Sequence, residues 1–394
     1  MLSGSFAAGS VFEAPEQAGL AAITAEAMLR GTTQRSFADL HETLESNAMS
    51  LGFSSGRFLT SFDGKALGDD LPLLLDILHD VLHNPAFPED QVALIKGEVI
   101  TGMRYRQLDT RYMANKRFQE LAYPPNHIFH RSNSGEIETV SPLTAEDCRA
   151  YYARQYGPAQ FIMVVVGAVK TAEAIATVEA ALGHWHNPNQ QTTWEQPPLL
   201  ELNDIRHALV TLPGKTQSDL VLGVPGPARS APDYRAAMLA NNVLGVFGMM
   251  GRLGSTIRED KGWAYYSASS LEGGIGPGPW RAYAGVNPAN VKEAVQLIRQ
   301  EINRMLDEPV NTQELADNQS NLVARLPLRL EKNEGVAANL MAMERFGLGL
   351  DYLRRYSEEI QALTPADLQA AMHKYWKPDA FALSVAGPEI EAAL

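Results

Sequence analysis

LTAEDCRAYYARQYGPAQFIMVVVG, residues 143–167, and LTPADLQAAMHKYWKPDAFALSVAG, residues 363–387, decide the fold of this chain. The two stretches align without a gap at an offset of 220 residues and share identical Leu, Thr, Asp, Ala, Pro, Phe, Val and Gly residues. In each copy a Thr is placed to cap a helix, and an Asp three residues later favours the helix dipole. The helix ends before Pro158 or Pro378, and a short apolar strand follows. An internal repeat is therefore predicted.

A second pair of matching features supports the repeat. An amphipathic helix ends at Asn84-Pro85 in the first half and at Glu308-Pro309 in the second, an offset of 224, and another helix follows each time. Short strands between long helices favour an α+β fold over a parallel βαβ sheet. We expect two tandem homologous α/β-sandwich domains, each a mainly antiparallel sheet packed with helices. The predicted bounds are 1–188 for the first domain, 189–203 for a polar, Pro-rich linker, and 204–394 for the second domain.

Hydrophobic periodicity places the clearest elements within these domains. Helices are predicted at 36–51, 71–82 and 291–306. Strands are predicted at 53–62, 161–169, 207–212, 220–224, 265–270 and 280–286.

Composition excludes several classes of protein. The 394 residues include 33 Lys and Arg against 46 Asp and Glu, a net charge of -13. Nucleic-acid binding is not expected, because it needs clustered basic side chains. No apolar run approaches the ~20 residues of a membrane helix. Cys148 is the single cysteine, which excludes an intrachain disulfide and a cysteine-based zinc site.

The start of the chain, MLSGSFAAGSVFEAPEQ, has neither the basic region nor the apolar core of a signal peptide. It opens directly on a strand-like stretch, so we expect the first domain to be truncated at its start.

Motifs in both halves resemble those of the pitrilysin/insulinase family of zinc peptidases. The second half has a Gly-rich turn followed by a pattern similar to RL...IRE.KGLAY, and the first half has matching Gly-Leu-Ala, Gly-Thr, Asn-Pro and Tyr-Pro elements. The residues concerned are Gly9-Ser10, Gly19 to Ala21, Met28 to Thr32, Asn84 to Pro88, Tyr123-Pro124, Leu244 to Gly248, Arg252-Leu253, Ile257 to Glu259, Lys261-Gly262 and Ala264 to Ser267. The resemblance covers nearly the whole chain.

The zinc-binding helix of the family is degenerate here. Active members carry H-x-x-E-H, in which two His side chains on one helix face bind zinc and the Glu polarises a water. The corresponding positions hold Ala22, Ala25 and Glu26. The third family ligand, a Glu, falls near Gly102 or Met103. We therefore expect no zinc or other cofactor in this chain, and Glu26 should be a solvent-facing helix residue.

Histidines elsewhere in the chain are further candidate zinc ligands. His79-Asp80-x-x-His83 has H-E-x-x-H spacing with the shorter Asp in place of Glu. The helix pattern places all three on the polar side, and no third ligand is evident, so solvated surface residues are favoured. His127 with His130, and His184 with His186, are interpreted as surface loop residues.

Arg258 and Tyr265 match an Arg and a Tyr that, in the family, hold the substrate backbone and stabilise the oxyanion at a zinc site in the facing domain. A guanidinium and a phenol suit negative charge on a carbonyl oxygen. The alternative is that Arg258 pairs with Glu259 or Asp260 and that Tyr265 only packs. Tyr266 would replace Tyr265 if the register shifted by one residue.

The Gly-rich turn before Arg258 is the other candidate for substrate contact. Its glycines, spaced by three from Gly245 to Gly254, lack the Lys-Ser/Thr of a phosphate loop, so a flexible turn is favoured. The pair Met249-Met250 can adapt to varied apolar side chains. The predicted substrate-binding residues are Gly248, Met249, Met250, Arg252 and Tyr266.

The resemblance implies a non-catalytic, substrate-binding subunit of a heterodimeric zinc metallopeptidase that degrades short unfolded peptides. Zinc and H-x-x-E-H would come from a homologous partner chain, so no activity is expected from this chain alone. One alternative is a catalytically dead structural or assembly protein of the same fold, and another is a stand-alone zinc hydrolase that uses His79 and His83. The resemblance favours the periplasm, and the cytoplasm stays open.

Overall fold

The computed structural model describes residues 1–195, 197–199 and 201–389. Gln196 and Leu200, which belong to the predicted linker, and the last five residues of the predicted second domain lie outside the described residues.

Strands and helices alternate along both halves of the chain. The strands are β1 (Leu2–Phe6), β2 (Ser50–Ser55), β3 (Thr60–Lys65), β4 (Ile162–Val165), β5 (Arg206–Thr211), β6 (Ser218–Pro225), β7 (Ala264–Gly273), β8 (Pro277–Val286) and β9 (Ala382–Gly387). The helices are α1 (Leu20–Ala27), α2 (Phe37–Ser46), α3 (Leu71–His83), α4 (Glu89–Arg106), α5 (Thr110–Ala122), α6 (Ile137–Val140), α7 (Ala145–Gln155), α8 (Thr171–Leu182), α9 (Tyr234–Gly245), α10 (Phe247–Leu253), α11 (Val291–Asp307), α12 (Thr312–Leu330), α13 (Asn333–Arg345), α14 (Tyr352–Gln361) and α15 (Pro365–Tyr375).

The repeated stretches form the same local structure. α7 and α15 each begin with a capping box, in which the hydroxyl of Thr144 or Thr364 accepts a hydrogen bond from the backbone N–H of Asp147 or Asp367, at 3.2 and 3.3 Å. The Asp side chain in turn accepts from the backbone N–H of the Thr, at 2.8 Å in both copies. Each helix is followed by a strand, β4 or β9, as the repeat predicts.

The chain folds into two compact units, and each unit consists of three segments. Unit 1 contains Met1–Met103, Ser132–Gln196 and Arg329–Gly349, and unit 2 contains Arg104–Arg131, Pro197–Leu328 and Leu350–Leu394. Each unit thus draws most of its residues from one half of the chain and one helical segment from the other half.

The sheet of unit 1 has the strand order β2-β3-β1-β4 and is antiparallel throughout. α13 packs on β1 and β4. The core of this unit includes Phe6, Phe62, Ile23 and Leu78, which are all fully buried.

The sheet of unit 2 has the strand order β5-β9-β6-β8-β7. β5 runs parallel to β9, and the other neighbours are antiparallel. α5 packs on β5, β6 and β9. The predicted fold class, an α+β arrangement of helices on mainly antiparallel sheets, is confirmed.

The sequence-based bounds were wrong in one region. Residues 53–62 were predicted as one strand, but they belong to a hairpin of β2 and β3, closed by a hydrogen bond from Gly56 N to Leu59 O at 2.8 Å. The helix predicted at 36–51 ends at Ser46, which leaves residues for β2. Across the described residues, no helix combines the length and the apolar composition that crossing a bilayer requires.

Candidate functional site

The positions that match H-x-x-E-H lie on α1. Gly19 precedes this helix with φ of 101°, a conformation that favours glycine. The carboxylate of Glu13, itself buried, accepts hydrogen bonds from the backbone N–H of Gly19 and of Ala21, at 3.2 and 2.5 Å. The helix is therefore well anchored although its ligand positions have changed. Ala25 is buried in the core, and a methyl group at either Ala position offers a metal no lone pair.

Arg30 lies between two carboxylates, that of Glu26 in the altered motif and that of Glu98 on α4. Its Nη2 atom is 3.6 Å from a carboxylate oxygen of Glu26 and 3.4 Å from one of Glu98, and its guanidinium stands over the ring of Phe37 at 5.1 Å. Burial raises the pKa of Glu26, while Arg30 opposes the shift. The Glu26 side chain is 44% exposed, which confirms the predicted solvent-facing position.

These residues do not fit zinc. Two of the three H-x-x-E-H positions carry methyl groups, and the remaining carboxylate shares its surroundings with a permanent cation. The third ligand position has the buried Met103 beside Gly102, whereas Glu98 contacts Arg30. Arg30 is not among the site residues predicted from the sequence, although its i,i+4 spacing from Glu26 is a visible signal.

The His79-Asp80-x-x-His83 motif is used for packing. His79 Nδ1 lies 2.6 Å from the carbonyl oxygen of Ala181, and His83 Nδ1 lies 2.9 Å from the carbonyl oxygen of His79. The two rings stack at 4.1 Å, and burial lowers the pKa of His83.

Asp80 was wrongly placed on the polar side of this helix. It is 2% exposed and accepts hydrogen bonds from Thr32 Oγ1 at 2.8 Å, Arg35 Nη1 at 2.7 Å and Asn84 Nδ2 at 3.1 Å. Three donors stabilise a buried carboxylate, so Asp80 ties α3 to the segment before α2. The apolar pattern of the helix does not indicate this burial, because it depends on Arg35, which lies 45 residues away in the chain.

The remaining histidines differ in their exposure to solvent. His184 and His186 are exposed, as predicted. His127 is buried, with its ring stacked on Tyr123 at 4.9 Å and on Phe129 at 5.8 Å, so its interpretation as a surface residue was wrong. Across residues 1–195, 197–199 and 201–389, no three His, Cys, Asp or Glu side chains are grouped as a metal site.

Arg258 and Tyr265 lie close together in unit 2. Arg258 belongs to a π-helical turn, Gly254–Asp260, and Gly262 with φ of 65° reverses the chain into β7. The Arg258 guanidinium carbon is 5.5 Å from the centre of the Tyr265 ring, and Tyr265 is 84% exposed. Within the described part of the chain, Arg258 forms no salt bridge, so the alternative pairing with Glu259 or Asp260 is absent.

The two neighbouring tyrosines, Tyr265 and Tyr266, lie at a β-bulge and have different surroundings. The pairing of β7 with β8 shifts register between Ala264 and Tyr266, at Tyr265. The Tyr266 hydroxyl donates to Asp219, and the Arg111 guanidinium stands 4.4 Å from the centre of the Tyr266 ring. Asp219, which sequence reasoning missed, is 2% exposed and also accepts from Thr110, and burial raises its pKa.

The Gly-rich segment at α10 is irregular. Gly248 and Gly251 have φ of 58° and 60°, and Met250 has φ of 77°, which is unusual for a residue with a side chain. Met250 is held in place because its sulfur accepts a hydrogen bond from Ser267 N at 3.3 Å. Met249 is 53% exposed and available for contact.

Three predicted substrate-binding residues, Gly248, Met249 and Arg252, line one cavity of about 630 Å³ in unit 2. Its wall is rich in carboxylates: Glu259, Asp260, Glu301, Glu314 and Asp317. Arg252 is already engaged, since its Nε and Nη2 atoms donate to Glu314 at 2.8 and 2.6 Å, and this contact raises the pKa of Arg252.

Comparisons with known proteins agree on one family. A family model described as the peptidase M16 inactive domain matches residues 142–322, and one described as insulinase (peptidase family M16) matches residues 5–123. The sequence is 26% identical over 373 residues to an uncharacterized zinc protease of Streptomyces coelicolor, in an alignment that covers 92% of this chain and 79% of that protein.

Solved structures show the same fold. The peptidase M16 inactive domain from Pseudomonas fluorescens superposes with a TM-score of 0.89 at 23% identity, over 100% of this chain and 94% of that one. A protease from Helicobacter pylori superposes with a TM-score of 0.88 at 20% identity, over 98% and 94% of the two chains.

Proposed function

The chain belongs to peptidase family M16, the insulinase family, and on that premise we propose that it is the non-catalytic, substrate-binding subunit of a heterodimeric zinc metallopeptidase that degrades short unfolded peptides. A homologous partner chain with an intact H-x-x-E-H supplies the zinc, and this chain binds none.

The division of labour is supported by what has changed and what has not. Ala22 and Ala25 have lost ligand chemistry, and Arg30 adds a cation beside Glu26. The carboxylate of Glu13 accepts hydrogen bonds from the backbone N–H groups of Gly19 and Ala21 and anchors α1. These hydrogen bonds form only when the helix is in place, so the segment at the altered motif is folded although it lacks a ligand set.

The observation that carries the proposal is the Arg258–Tyr265 pair, in which Arg258 is half-buried and Tyr265 is exposed. Tyr265 is 84% exposed, so its ring lies largely in solvent and is not packed in the core. Arg258 has no carboxylate partner among the residues described, so its guanidinium donors are available to a ligand. Together they offer a charged and a neutral donor to a peptide carbonyl oxygen, and both interactions strengthen as that oxygen becomes an oxyanion.

The test is a reconstitution assay. This chain is mixed with an M16 chain that has intact H-x-x-E-H, and cleavage of a quenched fluorescent peptide is measured for each chain alone and for the mixture. We expect activity from the mixture only, with kcat/KM lowered about 100-fold by Arg258→Ala and about tenfold by Tyr265→Phe, as for loss of oxyanion donors.

Matched surface variants control for unspecific effects. Arg354→Ala removes an exposed Arg elsewhere in the chain, and Tyr105→Phe removes the hydroxyl of a Tyr that is 73% exposed. Both should leave the activity of the mixture unchanged. A mixture no more active than the partner alone would refute the proposal. Full activity with Arg258→Ala and Tyr265→Phe would instead favour a structural or assembly protein.

Metal analysis separates the proposal from a stand-alone hydrolase. Asp80 is buried by Thr32, Arg35 and Asn84, so it is a poor general base for a site at His79 and His83. The purified chain should contain far less than one equivalent of zinc by plasma mass spectrometry. Stoichiometric zinc that is lost with His79→Ala would support the hydrolase.

A further inference from the structure

Arg345, in the last turn of α13, has a half-buried guanidinium with an incomplete set of partners. Its Nη2 atom donates to Ser5 Oγ on β1 at 2.9 Å, and Ser5 is fully buried. In the described part of the chain its Nε atom is buried without a partner, and its Nη1 atom lacks a partner without being buried. Among the residues that the structure describes, Arg345 thus meets one neutral hydroxyl and no anion.

Other half-buried arginines of the chain are neutralised by the fold itself. Three of them lie within ion-pair distance of a carboxylate: Arg30, Arg35 and Arg252. α13 shows the same contrast along its own length, because Glu334 in its first turn pairs with Lys65 on β3 at 2.9 Å. Burial lowers the pKa of Arg345, because the charged form is unfavourable where it lies. A charge taken from water without a counter-ion is costly, and a bound anion would offset that cost.

The guanidinium lies at the end of a row of hydroxyl groups on one face of the sheet of unit 1. Ser5 of β1 is directly opposite Ser61 of β3, and Ser61 is directly opposite Ser54 of β2. Side chains at such opposite positions lie on the same face of a sheet. Ser5 is buried, Ser61 is half-buried and Ser54 is exposed, so the row becomes more accessible from β1 towards β2. Because α13 packs on β1 and β4, a ligand can approach Arg345 over β2 and β3.

The chemistry of this face favours a singly charged, planar anion. Nη1 of Arg345 and the second hydrogen of Nη2 can each donate to one oxygen of a carboxylate, the paired geometry that guanidinium and carboxylate groups prefer. The next row of the same face carries the exposed carboxylate of Asp63, which accepts from Ser3 Oγ at 2.6 Å. Its negative charge opposes a phosphate group, which carries up to two negative charges near neutral pH, whereas Arg345 supplies a single positive charge.

We propose that Arg345 binds the carboxylate of a peptide, which is either its C-terminal carboxylate or the side chain of an Asp or Glu residue. Ser5 orients the guanidinium, and the hydroxyl of Ser61 donates a further hydrogen bond from the accessible side. All of these residues belong to unit 1. The site is therefore separate from Arg258 and Tyr265, and it stands whether or not the reconstitution assay succeeds.

Three N-acetylated hexapeptides built from Ala, Gly and Leu distinguish the two sources of the carboxylate. The first has a free C-terminal carboxylate, the second has a C-terminal amide, and the third has a C-terminal amide and one Glu in its interior. Binding to the full chain is measured by isothermal titration calorimetry. At least one carboxylate peptide should bind at least about tenfold more tightly than the uncharged peptide, as expected for a charge-assisted pair. Tighter binding of the first assigns the site to a C-terminus, and tighter binding of the third assigns it to an acidic side chain.

Substitutions at the site test whether Arg345 makes the contact. Arg345→Gln should abolish the preference for the carboxylate, and Arg345→Lys should retain part of it, because an ammonium group keeps the charge and loses the planar fork. Ser61→Ala should weaken binding of the preferred peptide about fivefold, since it removes one neutral donor. Arg329→Gln changes an exposed Arg of the same unit, so this control should bind as the parent chain does.

Thermal unfolding shows whether each variant folds. A saturating amount of the preferred peptide should raise the melting temperature of the parent chain and not that of Arg345→Gln. Absence of binding, equal binding by all three peptides, or a preference that survives Arg345→Gln would overturn the proposal. If Arg345→Gln does not fold, Ser61→Ala decides the question, because it leaves the guanidinium in place. A loss of about fivefold then supports the site, and unchanged affinity overturns it.

Discussion

Arg30 shows at the scale of one residue why substituted ligands do not leave a latent metal site. Its guanidinium lies within 3.6 Å of Glu26 and 3.4 Å of Glu98, two carboxylates that would otherwise repel each other. The positive charge of Arg30 offsets part of the negative charge of the two carboxylates and repels a divalent cation. Restoring the zinc motif therefore requires more than the three H-x-x-E-H positions.

A graft tests this conclusion. The variant Ala22→His/Ala25→Glu/Glu26→His should bind zinc weakly, because no third ligand is in place and Arg30 repels the ion. Adding Arg30→Ala should tighten zinc binding about tenfold, since a nearby positive charge is removed. Isothermal titration with zinc measures both variants, and Arg354→Ala on the grafted background is the control. Equal affinity with and without Arg30 would contradict the role assigned to it.

Cys148 is the second residue with a testable state. Burial raises its pKa to about 11 from an ordinary value of 9.0. The native thiol should react with a thiol reagent at pH 8 at least about 100-fold more slowly than the denatured chain, because both access and thiolate are lacking. Absorbance at the reagent's product band follows the reaction. Rapid stoichiometric labelling of the native protein would show that Cys148 is accessible.

The raised pKa of Cys148 also predicts how the stability of the fold depends on pH. Between about pH 9 and about pH 11 the folded chain keeps the Cys148 proton that the unfolded chain loses, so the free energy of unfolding falls as pH rises through this window. Denaturant unfolding at several pH values should show this decline, and it should be shallower in Cys148→Ala. An equally steep decline in that variant would assign the effect to other groups.

At the scale of the element, two adjacent tyrosines at the β-bulge of β7 have different surroundings. Tyr265 is 84% exposed, whereas the Tyr266 hydroxyl donates to the buried Asp219. In a regular strand, neighbouring side chains point to opposite faces of the sheet, and the bulge re-aims them locally. Tyr266 is thus engaged within the fold, and Tyr265 is available to a ligand.

The two hydroxyl deletions should behave differently. Tyr266→Phe removes one donor to a buried carboxylate and should lower the free energy of unfolding by about 2 kcal/mol. Tyr265→Phe should change it by less than about 0.5 kcal/mol, because its hydroxyl is in solvent. Denaturant unfolding compares both with the parent chain. Equal losses would mean that the two hydroxyl groups do not differ in their surroundings.

At the scale of the whole molecule, the compact units do not follow chain order. Unit 1 needs Arg329–Gly349, which carries α13, and unit 2 needs Arg104–Arg131, which carries α5. The domain bounds 1–188 and 204–394 follow the repeat in the sequence, and they stay a prediction about the repeated halves.

Separate expression of the two halves of the chain tests whether each unit needs the helical segment that comes from the other half. Residues 1–195 expressed alone lack α13, so the face that β1 and β4 turn to this helix is uncovered and the fragment should not unfold cooperatively. Co-expression with residues 197–394 should restore a cooperative thermal transition near that of the intact chain, as measured by circular dichroism. A fragment 1–195 that melts cooperatively at the parental temperature would refute the requirement for α13.

The sequence alone determined the repeat, the fold class, the lost ligands at Ala22 and Ala25, and the position of Arg258 and Tyr265. These features depend on local spacing, on capping by Thr144 and Thr364, and on residue chemistry, all of which act within a few residues. The tertiary structure alone decided that Asp80 and His127 are buried, that Arg30 joins Glu26 to Glu98, and that α5 and α13 each join the opposite half. Those outcomes depend on contacts between residues distant in the chain, which no local pattern specifies.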